Sequence, residues 1–250
     1  MSKRLRLFTR RDVERRLHEI IWILRDKYKT IRFVGERRID PYTLFSTQKY
    51  LESDKLGLVL REVLYSGYYA PIIVVRGKNA RYYIIDGHHR ARVYLWIRIK
   101  INSFILDIPE YEPSDKYHIW EIDLINPNEP IPVWLSIWKH MVNIIHFLEK
   151  KHSRVARVWK EKLLIKKLLP TEKIYYREMP SEIREPILVY HYDNRYYVID
   201  GHNRVCSKLL KGMEDIEAIV FTLDTMIGLV KTAEKIGLRE FSFETCRPRD

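Results

Sequence analysis

The 250 residues are 46% hydrophobic and 12% aromatic, enough for one large packed core or two small ones. A net charge of +12 and a pI near 9.5 suit polyanionic partners, from nucleic acid to a triphosphate, and equally the charge-rich surface of a thermophile's protein. No apolar run reaches the ~18–20 residues that span a bilayer, which argues against a membrane partner. The basic start leads into a charged amphipathic helix and not into a signal-peptide apolar segment. Cys206 and Cys246 have neither metal nor disulfide-framework spacing, and Cys206 reads as a small core residue, so a cytoplasmic, reducing home is expected.

In chain order, residues 9–29 predict a helix, with Thr9 and Asp12 as its capping pair and Val13, Leu17, Ile20, Ile21 and Leu24 as its apolar stripe. Short extended pieces follow at 31–34 and 38–40. A second helix is expected from Thr47 through Leu64, stopped by Ser66-Gly67. Strands at 71–76 and 81–85 around Gly77-Lys-Asn make a hairpin, followed by a helix at 91–97 and a strand at 103–106. Residues 107–132 read as a connection with a short strand at 117–122. Trp134 to about Lys167 reads as one helix with a basic far end, its tryptophans packing and Lys160–Lys167 solvated. Strands at 187–191, 195–199 and 216–221, helices at 205–211 and 225–236, and an extended piece at 240–243 complete the chain.

One ten-residue sentence is written twice, RYYIIDGHHR at 81–90 and RYYVIDGHNR at 195–204, with eight identities and the two aspartates 114 residues apart. That spacing means two copies of a small domain, because solenoid periods are ~20–50 residues. The expected architecture is α+β: an N-terminal helix at 1–30, a first module at 31–125, a helical connector at 126–167 and a shortened second module at 168–250. A strand, a sharp turn at Gly87 and a helix aim backbone N–H groups and a positive helix end at an anion. Arg90 offers a fork for phosphate oxygens, His88 and His89 can donate to phosphate, and Asp86 can hold a metal ion or a hydroxyl. In the duller reading Asp86 caps the helix while the histidines fill the turn.

The motif Asp86-Gly87-His88-His89-Arg90 resembles that of the ParB/sulfiredoxin superfamily, most closely its archaeal free-serine kinases, over about Asp40 to Trp120. The resemblance implies two ParB/sulfiredoxin-like modules joined by a helical segment, and transfer of a phosphoryl group from ATP or ADP, with Mg²⁺, to L-serine, giving O-phospho-L-serine. It implies a nucleotide site at Asp86, Gly87, His88, His89 and Arg90, with Asp86 as the metal ligand. It also implies an amino-acid pocket near Lys116 and Trp120. The sulfiredoxin thiol motif, the ParB phosphate motif and the helix-turn-helix are absent. The relatives' basic glutamate, in a Pro-His/Thr-Glu context, falls here on Gln48, and an amide is no general base. Glu36, Glu52 or Asp54 can replace it. The second copy keeps the carboxylate as Glu172 beside Asp200, His202 and Arg204, so a composite site is a further reading. Monomer and homodimer both fit. The alternative is a ParB-like DNA-binding nucleotide switch, with the basic helix at 151–167 as its DNA surface.

Overall fold

The computed structural model describes residues 5–174, 184–237 and 240–246, a mixed α+β protein that divides between Val142 and Asn143 into two units. The first opens with helix α1 (Arg10–Arg25), capped by the reciprocal Thr9–Asp12 bonds. It buries Val13, Leu17 and Ile20 against Ile73, Val75, Phe104 and Leu106 of a sheet. That sheet is built from β1 (Arg32–Ile39), β2 (Leu44–Ser46), β4 (Ile72–Arg76), β5 (Tyr82–Asp86), β6 (Ile101–Asp107) and β7 (Tyr117–His118), in the order β1-β6-β4-β5-β2-β7. Strand β4 is buried along nearly its whole length, which is why it reads as an unbroken β-branched run.

Between β2 and β4 lies an insert, β3 (Tyr50–Glu52) and α2 (Ser53–Ser66). Strand β3 pairs in parallel with β8 (Asp123–Ile125). Helix α3 (His88–Trp96) follows β5, and α4 (Val133–His152) begins in the first unit. A Cβ on Gly57 of α2 would stand 2.9 Å from the Trp138 carbonyl carbon, so glycine there lets α2 and α4 approach closely.

The second unit contains β9 (Arg157–Leu164), β10 (Leu168–Pro170), β11 (Ile187–Tyr192), β12 (Arg195–Asp200), α5 (His202–Leu210), β13 (Asp215–Thr222) and α6 (Gly228–Lys235). Its sheet order, β9-β13-β11-β12-β10, reproduces β1-β6-β4-β5-β2, with the same sequence of parallel and antiparallel pairings. Even the bulge next to the motif recurs, at Ile73/Val74 and at Leu188/Val189. The duplication therefore covers five strands and a helix, far more than ten letters.

Several sequence expectations are corrected. The long helix ends at His152, and 157–164, expected as helix, is the edge strand β9 paired with β13. A short mixed apolar and basic run satisfies either period, and the pairing partner decides. The second helix starts at Ser53, since Tyr50–Glu52 is strand. The motif helix starts at His88, putting both histidines in its first turn. The strand at 117–122 shrinks to Tyr117–His118, the last helix to Gly228–Lys235, and 240–243 forms no strand. Most of the shortened insert, at 175–183, lies outside the described residues.

Cys206 is buried in the core as expected but is also bonded to Cys246, which pins the C-terminal segment to α5. Spacing could not show this, and the pairing removes the ground for expecting a reducing compartment. No helix among the described residues is long and apolar enough to cross a membrane. The bridge closes a loop of 40 residues. Reduction is expected to cost about 2–4 kcal/mol, read as a lower urea midpoint in dithiothreitol. Cys206→Ser is expected to show the lower midpoint with or without reductant.

Candidate functional site

The motif turn is built the same way in both units. Gly87 has φ +95° and Gly201 φ +101°, values that side chains resist. A Cβ on Gly87 would meet Ile72 Cγ2 at 2.4 Å and Arg90 Nη2 at 2.8 Å. The arginine folds back beneath the glycine. Arg90 Nη1 donates to the Pro71 carbonyl and Nη2 donates to Asp86 Oδ2 at 2.6 Å, with the guanidinium buried. Arg204 repeats both contacts with Pro186 and Asp200. Its burial pulls the guanidinium below its ordinary value. The expected phosphate fork is thus turned inward: Arg90 ties the end of β5 to the residue before β4.

The first histidine braces the neighbouring strand. His88 Nε2 lies 3.3 Å from Thr47 Oγ1, and that hydroxyl donates to the Ile84 carbonyl at 2.9 Å. The hydroxyl's one proton is used there, so the imidazole donates from Nε2. In the second unit Thr171 occupies the matching place, donating from Oγ1 to the Val198 carbonyl and from its backbone N–H to His202 Nε2. His202 therefore carries its proton on Nδ1, 3.2 Å from Glu172 Oε1. Strand pairing aligns Ser46 with Ile84 and Pro170 with Val198, which makes Gln48 and Glu172 equivalent. The three-dimensional register thus supports the sequence alignment of these two positions.

The second histidine differs between copies. His89 Nε2 accepts the Glu52 backbone N–H at 3.1 Å, clasping the start of α2. Asn203 stands at this position in the second unit. Burial pushes His88 down to about 3, His202 to about 4, and His89 well below the ordinary histidine value, so all three are neutral near pH 7.

Over the first motif opens a cavity of about 580 Å³. Its lining includes all five motif residues, Gln48, Glu52 and three cationic side chains, Arg6, Lys49 and Lys55. The first turn of α3 and the start of α2 both contribute, so two helix N-termini meet there. The other sequence candidates lie elsewhere. Glu36 is held by Arg10 at 2.7 Å, and Asp54 is buried with Oδ1 accepting the Lys55 N–H. Lys116 pairs with Glu112, and Trp120 stacks on His118 with ring centres 4.1 Å apart. None of these four lines the cavity. Glu172 faces its own unit's His202. Sequence reading missed Arg6, Lys49 and Lys55, because an isolated basic residue carries no signal until the fold gathers it. No group of three or more His, Cys, Asp or Glu able to hold a metal ion occurs among the described residues.

No protein-family model and no curated protein matches this chain. A solved structure, that of protein Atu1540 from Agrobacterium tumefaciens, aligns at 18% identity over 42% of this chain and 46% of that one, with a TM-score of 0.24.

Gly87→Ala is expected to destabilise by about 2 kcal/mol or more, measured by urea unfolding. The neutral histidines set a pH dependence. Their folded values lie below the unfolded 6.5, so the unfolded chain binds more protons and stability falls as pH drops from 6.5 to 4.5. Each contributes up to about 1.4 kcal/mol per pH unit. His89→Asn should flatten that slope by one histidine's share, measured as unfolding free energy at several pH values.

Proposed function

We propose that this chain is built on two ParB/sulfiredoxin-like modules and is a nucleotide-dependent kinase for free L-serine whose site lies in the first unit, transferring the terminal phosphoryl group of ATP, or of ADP, to give O-phospho-L-serine. The observation that carries this reading is the cavity in which the motif turn, Glu52 and three cations meet. Phosphoryl transfer asks for positioning and charge neutralisation more than for covalent chemistry, and this lining offers both.

The roles follow from what lines the cavity. Lys49, Lys55, Arg6 and the first-turn N–H groups of α3 hold the phosphates, in place of the inward-turned Arg90. Glu52 is the carboxylate that accepts the serine hydroxyl proton as the hydroxyl oxygen bonds to phosphorus and the bond to the leaving diphosphate oxygen breaks. For an ADP donor the leaving group is the monophosphate. Gln48, an amide at this mouth, donates to the amino acid's carboxylate. Mg²⁺ would be held chiefly by the phosphates, with Asp86 and Glu52 as the carboxylates that line the cavity beside it. When bound it neutralises phosphate charge. Asp86 lines the cavity with one oxygen engaged by Arg90.

A regulator that binds nucleotide without turnover would use the same cavity, and Gln48, standing where the second unit has Glu172, favours it. The DNA-switch reading loses its basic helix, since 157–164 is strand. Incubation with ATP or ADP, Mg²⁺ and L-serine is expected to yield phosphoserine by mass. Glu52→Gln should lower the rate about 10²-fold or more, with nucleotide binding retained. Nucleotide binding with no product from any hydroxyl amino acid would establish the regulator instead.

A further inference from the structure

Helix α1 carries a second pattern besides its buried stripe. Arg11, Arg15, His18, Trp22 and Arg25 recur at three- and four-residue spacing, so they share one face of the helix over ~21 Å. All five are exposed, and Trp22 is 71% accessible. Beside this face Phe33 of β1 is 49% exposed and meets Phe104 edge-on, with ring centres 6.1 Å apart. A groove of about 600 Å³ runs between them, lined by the apolar Leu17, Ile21, Trp22, Phe33 and Phe104 and by the polar Glu14, His18 and Arg25.

Charge is concentrated at the same place. Residues 5–40 hold 11 Lys and Arg against 6 Asp and Glu, whereas 41–142 hold 12 against 11. A thermostable surface helix would pair its cations with carboxylates one turn away, as Arg16 does with Glu19. Arg11, Arg15 and Arg25 carry no ion pair among the described residues. Glu14, the carboxylate that lines the groove, and Glu36 of β1 are both engaged by Arg10. An anion brought to this face therefore meets unpaired guanidinium groups.

We propose that the α1–β1 face of the first unit binds single-stranded nucleic acid. Trp22 and Phe33 stack unpaired bases, and Arg11, Arg15 and Arg25 hold successive phosphates. Aromatic faces beside a positive track are the two elements that sequence-tolerant single-strand binding uses. Arginine suits the task because its planar group both forks phosphate and stacks on bases. Stacking on Trp22 and Phe33 needs a base whose face is open, which a single strand offers and a duplex does not. The site is separate from the cavity over Asp86, so neither reading depends on the other.

The test is fluorescence anisotropy of labelled 12-mers, oligo-U and oligo-dT, with the full chain across 50 to 200 mM KCl. Binding of either is expected, weakening with salt as about three phosphate contacts require. Trp22→Ala and Phe33→Ala should each weaken it about 5- to 100-fold, with unchanged circular dichroism and thermal midpoint. Arg11→Gln/Arg15→Gln should flatten the salt slope. The proposal is overturned if no 12-mer binds, or if the aromatic variants bind as the parent does. It is equally overturned if duplex or heparin competes as well as the single strand, if only anionic vesicles bind, or if the face serves solely to pair two copies.

Discussion

The structure depends on a buried arginine pulled back against its own strand. Arg90 reaches under Gly87 to bond Asp86 and the carbonyl of Pro71, so one guanidinium joins β5, the turn and the entry to β4. A charge taken out of water is tolerated only with a partner and hydrogen bonds, and here Asp86 supplies the opposite charge while the Pro71 carbonyl accepts a second N–H. The turn can close only if the intervening residue has no Cβ. Asp, Gly and Arg are therefore one device, and it occurs in both units because both need the same corner.

The two histidines separate architecture from what is particular to each unit. The first is kept in both copies because it braces the end of β2 or β10 through a threonine. The second is histidine where an insert must be clasped and asparagine in the other copy. The insert brings Glu52 and Lys55 to the motif, and α3 adds its own N-terminus, so the first unit has a polar, cationic cavity over the turn. In the second unit the corresponding histidine is engaged on both ring nitrogens, by Thr171 and by Glu172. The proposed kinase chemistry accordingly rests on the first unit, with the repeated motif as its frame and the insert as its reactive part.

Much was legible in the sequence. The hairpin, the α1 stripe with its Thr9–Asp12 cap and the buried β-branched strand follow from period and capping, which are local rules. The doubled motif announced two copies of a small α+β unit. The equivalence of Gln48 and Glu172 was also visible, Gln48 by its spacing from Pro71 in the relatives' pattern and Glu172 by its Pro170-Thr171-Glu172 context. Illegible were the features set by distant partners. Strand β9 looked helical until β13 paired with it, Cys206 gave no sign of Cys246, and Arg90 looked available because its partner 19 residues earlier is a backbone carbonyl.

By itself, then, the sequence determined the repeat, the glycine turn and the identities available at each corner, since these depend on neighbours along the chain. Only the tertiary structure decided which polar groups face inward and which face a ligand. Arg90 and His88 became braces, while Lys49, Lys55 and Glu52 came to line a cavity. The physical reason is that a buried polar group must be satisfied by whatever the fold places beside it, and that neighbour is rarely adjacent in the chain.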